Sequence, residues 1–309
     1  TFATDVNAYC HDYYDAIQGA DNLWRVEQVL FDQTTALQGG WNWFSSYVDL
    51  STPDGLEKLQ TALGENGVII KSNINNEFVT YEELPNGEYG WVGNEFSIYN
   101  TKMYMIETSN AHEMTVAGEV VDGTGFMFML TPGWNWIGYP IDKVQNIDVA
   151  LSGLQDKAQA NDMIKHRNDF AYFDASTKKW VGKLTQLEPG KGYKYKSNKS
   201  SISMFYYTKS DAKETVVDNA IIDENYWKVE SSGYANNMTI TAMLSIDGEI
   251  VNDNYEIAAF ANGECRGSAR PIYVESKNAY MLFMTVFGDD VEELTFKYYD
   301  IDADTEYEL

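Results

Sequence analysis

Four tryptophans in two short motifs have the side chains most suited to contact a ligand. Trp41 and Trp43 lie in GWNWFSSYV, and Trp134 and Trp136 lie in GWNWIGYPI. A flat indole face matches the apolar face of a pyranose ring, so an exposed pair could stack on a sugar. A buried aromatic ring instead removes on the order of 200 Å² from water. These residues are candidates for a carbohydrate platform and for core anchors, and we expect the second role.

Trp91 and Trp180 form a second matched pair, because each precedes a Val-Gly dipeptide. They allow the same two interpretations. We again expect burial, with contact to a sugar as the alternative.

Three carboxylates near the end of the chain have the spacing of a cation site. Asp300, Asp302 and Asp304 occupy alternate positions, as in the first part of a calcium-binding loop. The glycine expected at the sixth position is missing, and the sequence stops before the twelfth position. A strand with outward-facing aspartates would have the same pattern. Calcium therefore competes with a simple acidic strand, and no other cofactor is indicated.

Signatures of catalysis are sparse. His11, His112 and His166 are the only histidines and lie far apart, and Cys10 and Cys265 are the only cysteines. Neither a paired metal-binding motif nor a Gly-x-Ser-x-Gly elbow nor a phosphate-binding glycine loop is present. We expect no enzyme activity, no Cys10–Cys265 disulfide, and a small buried side chain at Cys265.

The net charge of −25 argues against nucleic acid and anionic membrane surfaces as partners. The charge is uneven: residues 133–208 carry 11 basic and 7 acidic side chains, whereas residues 219–309 carry 5 and 18. This distribution would favour contact between a basic middle and acidic flanks, but exposed charges are screened, and we expect solvated faces that differ in charge without such contact. The longest apolar run, at 126–130, is far shorter than the ~20 residues of a membrane span, so we expect no membrane insertion.

An internal repeat extends well beyond the tryptophan motifs. Matching segments lie 89 to 94 residues apart, which indicates a duplicated unit with small differences in loop length. The matched segments are 68–72 with 162–166, 77–81 with 169–173, 90–93 with 179–182, and 102–106 with 191–195.

These patterns predict a mainly β chain with two tandem β-rich repeats, at 39–125 and 126–210. Each repeat has a short helix, at 51–64 and 147–154. Four alternating runs, at 238–244, 255–260, 279–287 and 294–299, predict an antiparallel β-sandwich over 218–309. Residues 1–38 form the end of a preceding domain or a packing element, and 23–37 fits a helix or strands.

The repeat strings resemble a tandem module of large secreted and surface-anchored proteins of Bacteroidetes. The string NYEIAAFANGECRGSARP with the runs after it is similar to a β-sandwich module that accompanies that module. The resemblance covers residues ~38 to 309 and implies an extracellular or cell-surface location and an accessory role. It carries over no catalytic residues. Because the sequence begins at Thr1 without a signal peptide, we expect a piece of a longer or processed protein.

Our leading functional expectation is a non-catalytic scaffold or adhesion array beside other domains of the same polypeptide. Its partner would be a protein or a glycan at a cell surface. The alternative is a carbohydrate-binding module that uses exposed Trp and Tyr side chains. An enzyme that acts on glycans is a third, weaker alternative.

Overall fold

The chain is built mainly from short antiparallel strands, as the sequence predicts. The computed structural model describes residues 14–18, 24–28, 30–199, 201–207, 225–246 and 248–309. The first two strands, β1 (Tyr14–Gln18) and β2 (Trp24–Gln28), pair with each other. Within the described ranges no helix is long and apolar enough to cross a membrane.

Repeat 1 combines a five-stranded sheet with a smaller sheet and one helix. Its elements are β3 (Leu30–Leu37), β4 (Gly40–Phe44), β5 (Val48–Asp49), α1 (Gly55–Leu63), β6 (Gly67–Lys71), β7 (Phe78–Glu83), β8 (Tyr89–Gly93), β9 (Tyr104–Thr108) and β10 (His112–Val120). The large sheet has the order β4-β9-β6-β7-β8, and the small sheet has the order β3-β10-β5. Side chains from both sheets and from α1 form one buried core.

Repeat 2 has the same plan. Its elements are β11 (Phe128–Leu130), β12 (Gly133–Ile137), β13 (Gln145–Asn146), α2 (Ile147–Ala150), β14 (Met163–His166), β15 (Asp169–Asp174), β16 (Lys179–Gly182), β17 (Gln186–Leu187), β18 (Tyr193–Ser197) and β19 (Ile202–Met204). The large sheet has the order β12-β18-β14-β15-β16, which matches repeat 1 strand for strand. The pair β11–β19 occupies the place of β3–β10. The sequence repeat is therefore a repeated fold.

The N-terminal boundary predicted from sequence needs correction. Residues Leu30–Leu37, placed outside repeat 1, pair along their length with β10 and contribute Leu37 to the core of repeat 1. A helix over 23–37 is wrong, because the described residues there form β2 and β3. Apolar and polar residues alternate only weakly in this region, so the sequence shows neither a clear strand period of two residues nor a clear helix period of 3.6 residues.

Gly and Asn of the GWNW motif build the corner where the chain passes from the small sheet to the large one. Gly40 and Gly133 both have a φ of +89°, in the left-handed region that favours glycine. The Asn42 side chain accepts a hydrogen bond from the Gln38 N–H at 2.9 Å and donates to the Gln38 carbonyl at 2.8 Å. Asn135 makes the equivalent pair of bonds to residue 131. The Gly and Asn of the repeated motif therefore serve to fix the backbone conformation of this corner.

Both predicted helices are present but shorter than expected. Helix α1 begins at Gly55 because the preceding residues form a turn in which the Gly55 N–H bonds to the Thr52 carbonyl at 3.0 Å. Its buried face carries Leu56, Leu59 and Leu63. Helix α2 is a single turn capped by the Asn146 side chain and is followed by a 3-10 turn at Ser152–Leu154.

The third module is an antiparallel β-sandwich. Its strands are β20 (Asn237–Ala242), β21 (Ser245–Ile246), β22 (Glu249–Ile250), β23 (Tyr255–Ala261), β24 (Glu264–Ala269), β25 (Ile272–Val274), β26 (Ala279–Phe287), β27 (Thr295–Asp300) and β28 (Thr305–Glu308). The sheets β20-β26-β25 and β24-β23-β27-β28 enclose a core that includes Ile257, Leu282 and Met284. The four strands predicted from sequence are confirmed to within a few residues.

Alanine at the two corner glycines should separate backbone strain from contact between modules. A Cβ at Gly133 would meet no atom within 4 Å, whereas a Cβ at Gly40 would lie 2.2 Å from the carbonyl oxygen of Ser232 in the third module. We expect Gly133→Ala to lower the free energy of unfolding by about 1–2 kcal/mol through its positive φ alone. Gly40→Ala should cost clearly more, as measured by urea denaturation. Equal losses would show that Ser232 is not held against this corner.

Candidate functional site

The Trp side chains of both GWNW motifs face away from the cores of their own repeats. Successive side chains of a strand point to opposite faces. Phe44 and Ile137 enter the cores of repeats 1 and 2, so Trp43 and Trp136, one residue earlier, lie on the other face. The prediction that these rings anchor each repeat's own core is therefore wrong. Their burial has a different cause.

The rings meet instead where the three modules join. Trp41, Trp43 and Trp136 pack in one cluster with Met103, Met105 of repeat 1 and Ala235 of the third module. Trp43 is only 3% exposed, and Trp41 and Trp136 are half-buried. Trp134 is 43% exposed and is the member of the two motifs that a ligand can reach most easily.

Two lysines of repeat 2 lie between these indoles. The Lys194 Nζ is 4.3 Å from the centroid of the Trp43 ring and 4.7 Å from that of Trp136. The Lys165 Nζ is 4.8 Å from the Trp134 ring and 5.9 Å from the Trp43 ring. Trp43 thus contributes one indole to two cation–π contacts. We call these five side chains the indole–lysine stack.

Burial in the stack makes both ammonium groups easier to deprotonate. It lowers the pKa of Lys165 to about 8. It lowers the pKa of Lys194 to about 7, and repulsion from Lys165, Arg167 and Lys71 contributes to that shift. Lys165 also donates a hydrogen bond to the Asn237 side-chain oxygen of the third module. The stack therefore connects all three modules.

The β14–β15 turn of repeat 2 lies at the centre of this junction. His166 packs edge-on against Trp43 with ring centroids 6.0 Å apart, and its Nδ1 donates to the Gly192 carbonyl at 2.8 Å. Burial lowers the pKa of His166 to about 3, so the imidazole is neutral at physiological pH. His166 acts here as a packed, hydrogen-bonded ring.

The same turn also attaches repeat 2 to the third module. The Arg167 guanidinium donates to the carbonyls of Ser231 and Tyr234 and lies 5.5 Å from the centroid of the Phe287 ring. The Thr285 hydroxyl donates to the Asn168 carbonyl at 2.7 Å. Polar groups at this interface are thus mostly matched to backbone carbonyls rather than to opposite charges.

An ion pair between modules runs against the polarity expected from composition. Asp174 of basic repeat 2 lies 3.6 Å from Lys277 of the acidic third module and accepts a hydrogen bond from Ser276 at 2.7 Å. Hydrogen bonds from Ser176 and Ser276 and the Lys277 charge hold the pKa of this carboxyl well below its usual range. The net charges of the two modules therefore do not predict which of them contributes the acid and which the base in this ion pair.

Trp91 and Trp180 differ although they occupy equivalent strands. Trp180 is buried in the core of repeat 2, as predicted, and its backbone N–H donates a hydrogen bond to the Asp148 carboxylate. Trp91 is half-buried against the core of repeat 1 and lies beside Tyr81, with ring centroids 5.5 Å apart. The predicted burial of Trp180 is confirmed, and that of Trp91 is partial.

The three aspartates proposed for calcium do not converge. Asp300 accepts from the Ala303 N–H at 3.0 Å, Asp302 accepts from the Asn254 amide at 3.0 Å, and Asp304 accepts from the Tyr299 hydroxyl. Within the part of the chain that the structure describes, no group of three or more His, Cys, Asp or Glu side chains is placed to hold a metal ion. The alternating spacing belongs to the hairpin turn between β27 and β28.

The other reactive residue types occupy structural positions. Cys265 is a free, half-buried thiol whose pKa is raised by burial. The His112 ring lies 2.8 Å from the Ala62 carbonyl and 3.4 Å from the Asn66 amide nitrogen. Cys10 and His11 lie outside the described residues.

Two cavities adjoin the junction. A cleft of about 570 Å³ separates repeat 2 from the third module, and a cavity of about 220 Å³ lies between repeat 1, repeat 2 and the segment around Ser231. Asn168, Asp169 and Ser231 line both. The tip of the β14–β15 turn thus borders two spaces that a ligand can enter.

Sequence reasoning missed the two lysines of the stack. For Lys194 the signal was present in GYKYKS, where it alternates with Lys196 on one face of a strand, whereas Lys165 comes from the neighbouring strand β14, opposite Lys194. Once that strand pairs with the GWNW strand, Lys194 lies opposite Trp136 and Lys196 lies opposite Trp134. Cross-strand neighbours of this kind interact, but the pairing itself has to be known first.

A scan against protein-family models, a search of curated proteins and a search of solved structures gave no match to this chain. The functional proposal therefore rests on the contacts described above. The most distinctive of them is the indole–lysine stack.

Replacing Trp43 should be far more damaging than replacing Trp134. Trp43→Ala removes a fully buried ring and leaves a cavity, so we expect a loss of about 3–5 kcal/mol in the free energy of unfolding. Trp134→Ala should cost less than about 1 kcal/mol because its ring is partly exposed. Urea denaturation of both variants gives the comparison. Similar losses would contradict the described geometry.

Stability should rise with pH through the titration of the two stacked lysines. Their pKa values in the folded state, about 8 and about 7, lie below the ordinary 10.5, so the unfolded state binds more protons between these limits. The free energy of unfolding should therefore increase from about pH 6 toward pH 9.5, whereas below about pH 6 both lysines are protonated in both states and the penalty is constant. A Lys165→Met/Lys194→Met variant should lose this slope. An unchanged slope would exclude the stack as its source.

Proposed function

We propose that this chain is a non-catalytic accessory unit in which three β modules form one rigid body. It would hold or present neighbouring domains of a larger secreted or surface protein, or attach that protein to a protein or glycan at a cell surface. The observation that carries the proposal is the indole–lysine stack. The most conspicuous repeated residues of the chain are used to join modules.

Backbone hydrogen bonds support a fixed arrangement of the two repeats. The Ser45 N–H donates to the Gly190 carbonyl at 3.0 Å, and the Gly192 N–H donates to the Trp43 carbonyl at 3.0 Å. These two bonds flank a bridge between Phe44 and Lys191. The large sheet of repeat 1 thus makes a short strand-like contact with repeat 2, which restricts rotation about the connecting chain.

An apolar interface supports a fixed third module. Phe170 and Tyr172 of repeat 2 pack against Val274 and Phe283 of the third module in one buried cluster. The Tyr172 and Phe283 rings stack with centroids 5.8 Å apart. Contacts of this kind are insensitive to salt, unlike contacts between exposed charges.

The extracellular or cell-surface setting of this proposal comes from the resemblance of the repeats to modules of secreted Bacteroidetes proteins. The non-catalytic role is supported by the structural use of the residue types that perform catalysis. His166 and His112 are hydrogen-bonded within the fold, and the Cys265 thiol has a raised pKa.

Carbohydrate binding is a second candidate function. The tryptophans of the GWNW motifs give little support to carbohydrate binding, because the Trp43 ring is buried and cannot stack on a sugar. The cleft between repeat 2 and the third module favours it, because aromatic and polar side chains line the same space.

Distance measurements between labels on repeat 1 and on the third module test the rigid-body proposal. Cysteines introduced at the exposed positions Glu65 and Glu306, in a Cys10→Ser/Cys265→Ser background, would carry spin labels. We expect one narrow distance distribution that is the same at low and at 1 M salt. Trp43→Ala should broaden it, and Trp134→Ala should not.

A broad distribution in the otherwise unmodified chain would contradict a rigid scaffold. Broadening only at high salt would mean that exposed charges, rather than the buried stack, hold the modules together.

A further inference from the structure

The cleft between repeat 2 and the third module combines polar side chains with one accessible aromatic ring. Phe283 and Phe287 of β26 border it but are only 2% and 4% exposed, whereas Trp227 is half-buried. The turn residues Asn168 and Asp169 form one wall, and the segment that contains Trp227 forms the other. Its volume of about 570 Å³ is within the ~300–1,000 Å³ of small-ligand sites.

The polar side chains in this cleft are not engaged with the protein. Among the residues that the structure describes, six lining side chains make no hydrogen bond or ion pair with another residue. They are Asn168, Asp169, Lys183, Asn225, Lys228 and Glu230. Elsewhere at the junction, Lys165, Arg167 and Asp174 all have protein partners. Five of the six, all except Lys183, are exposed to solvent, so a ligand that enters the cleft can replace their contacts with water.

The lining also indicates which chemistry the ligand has. Two carboxylates, Asp169 and Glu230, face two ammonium groups, Lys183 and Lys228, so the site favours no net charge. Asp169 is exposed and Lys183 is half-buried. Desolvation raises the pKa of Asp169 and lowers that of Lys183, and attraction between the two charges opposes both shifts. A neutral ligand with many hydroxyl groups can donate to the carboxylates and accept from the ammonium groups.

We infer that this cleft binds a neutral oligosaccharide, with sugar hydroxyls bonded to Asp169, Lys183 and the two asparagines and an apolar sugar face against the Trp227 ring. The inference rests on carbohydrate binding as the second candidate function. It assigns the sugar to a site between modules rather than to the GWNW tryptophans.

The adjoining smaller cavity extends the site toward repeat 1. Trp43 and Arg167 line it, and their Nε1 and Nη1 atoms are buried donors without a hydrogen-bond partner in the described part of the chain. A buried donor without an acceptor is unfavourable. An oligosaccharide that continues from the cleft past Asp169 would bring oxygen acceptors to this cavity.

The test is binding of the whole chain to an array of immobilised neutral oligosaccharides of two to six units, with uronic-acid oligosaccharides and short peptides as further probes. We expect binding to at least one neutral oligosaccharide. In Asp169→Ala/Lys183→Ala, affinity for it should fall at least tenfold with an unchanged melting temperature, because neither side chain makes a hydrogen bond in the described fold and the two opposite charges are removed together.

The matched control is Asp156→Ala/Lys178→Ala, which removes an exposed acid–lysine pair of the same repeat, with 2.5 Å between the charged atoms. This variant and Trp134→Ala should bind like the original chain. Binding that survives Asp169→Ala/Lys183→Ala, or that is lost in Trp134→Ala, would overturn the assignment to the cleft while leaving carbohydrate binding intact. Binding to no neutral oligosaccharide, or to uronic acids or peptides alone, would overturn both the assignment and the second candidate function.

Discussion

Two lysine ammonium groups held largely out of water between indole rings constrain how the modules fit together. Removing an ammonium group from water is unfavourable unless other groups replace the lost hydration. Here the faces of Trp43, Trp134 and Trp136 replace it only in part, each cation–π contact contributing roughly 0.5–2 kcal/mol. The pKa values of Lys165 and Lys194 are still lowered to about 8 and about 7. Trp43 comes from repeat 1, and the Asn237 oxygen bonded to Lys165 comes from the third module. The outer face of repeat 2 is therefore satisfied only when both neighbours are in place.

The duplication explains why such an asymmetric junction can arise from two similar units. Both copies keep the Gly and Asn that form the corner between their sheets, and both keep the strand order. They differ on the outer face, where Met105 lies opposite Trp43 in repeat 1 and Lys194 lies opposite Trp136 in repeat 2. Repeat 1 thus contributes the Trp43 indole beside the apolar Met105. Repeat 2 contributes the lysines that lie against that indole. Divergence at a few outward positions turned two equivalent faces into complementary ones.

The sequence predicts the elements of this fold much better than their contacts. Local signals suffice for the four predicted strands of the third module and for α1, because caps, turns and alternation act within a few residues. Alternation also groups Trp41 with Trp43 correctly, but it does not say which face of the strand is the core. The larger apolar side chains suggested the wrong face, since Asn42 lies on the core side, where the corner backbone satisfies its amide. The indole–lysine stack required knowledge of three modules at once.

The two alternatives for the aspartates, a calcium loop and an acidic strand, show the same limit of local signals. Alternating aspartates fit both a calcium loop and a tight hairpin, and only the partners distinguish them. Each of the three carboxylates accepts a hydrogen bond from a different partner, namely the Asn254 amide, the Tyr299 hydroxyl and the Ala303 backbone N–H. Residues that approach from other strands decide the role of a local motif, and those residues are not adjacent in sequence.

The two proposals for this chain are linked through the junction. The walls of the cleft belong to different modules, so the cleft exists only while the stack and the Phe283 interface hold repeat 2 and the third module in register. A ligand that binds only this docked arrangement stabilises it by mass action. By the same linkage, a variant that weakens the stack enough to populate the undocked arrangement lowers the affinity of the cleft in proportion to the docked fraction that is lost. Rigid joining of the modules is thus a precondition for a binding site between them, and a scaffold of this construction can acquire recognition without any change in its cores.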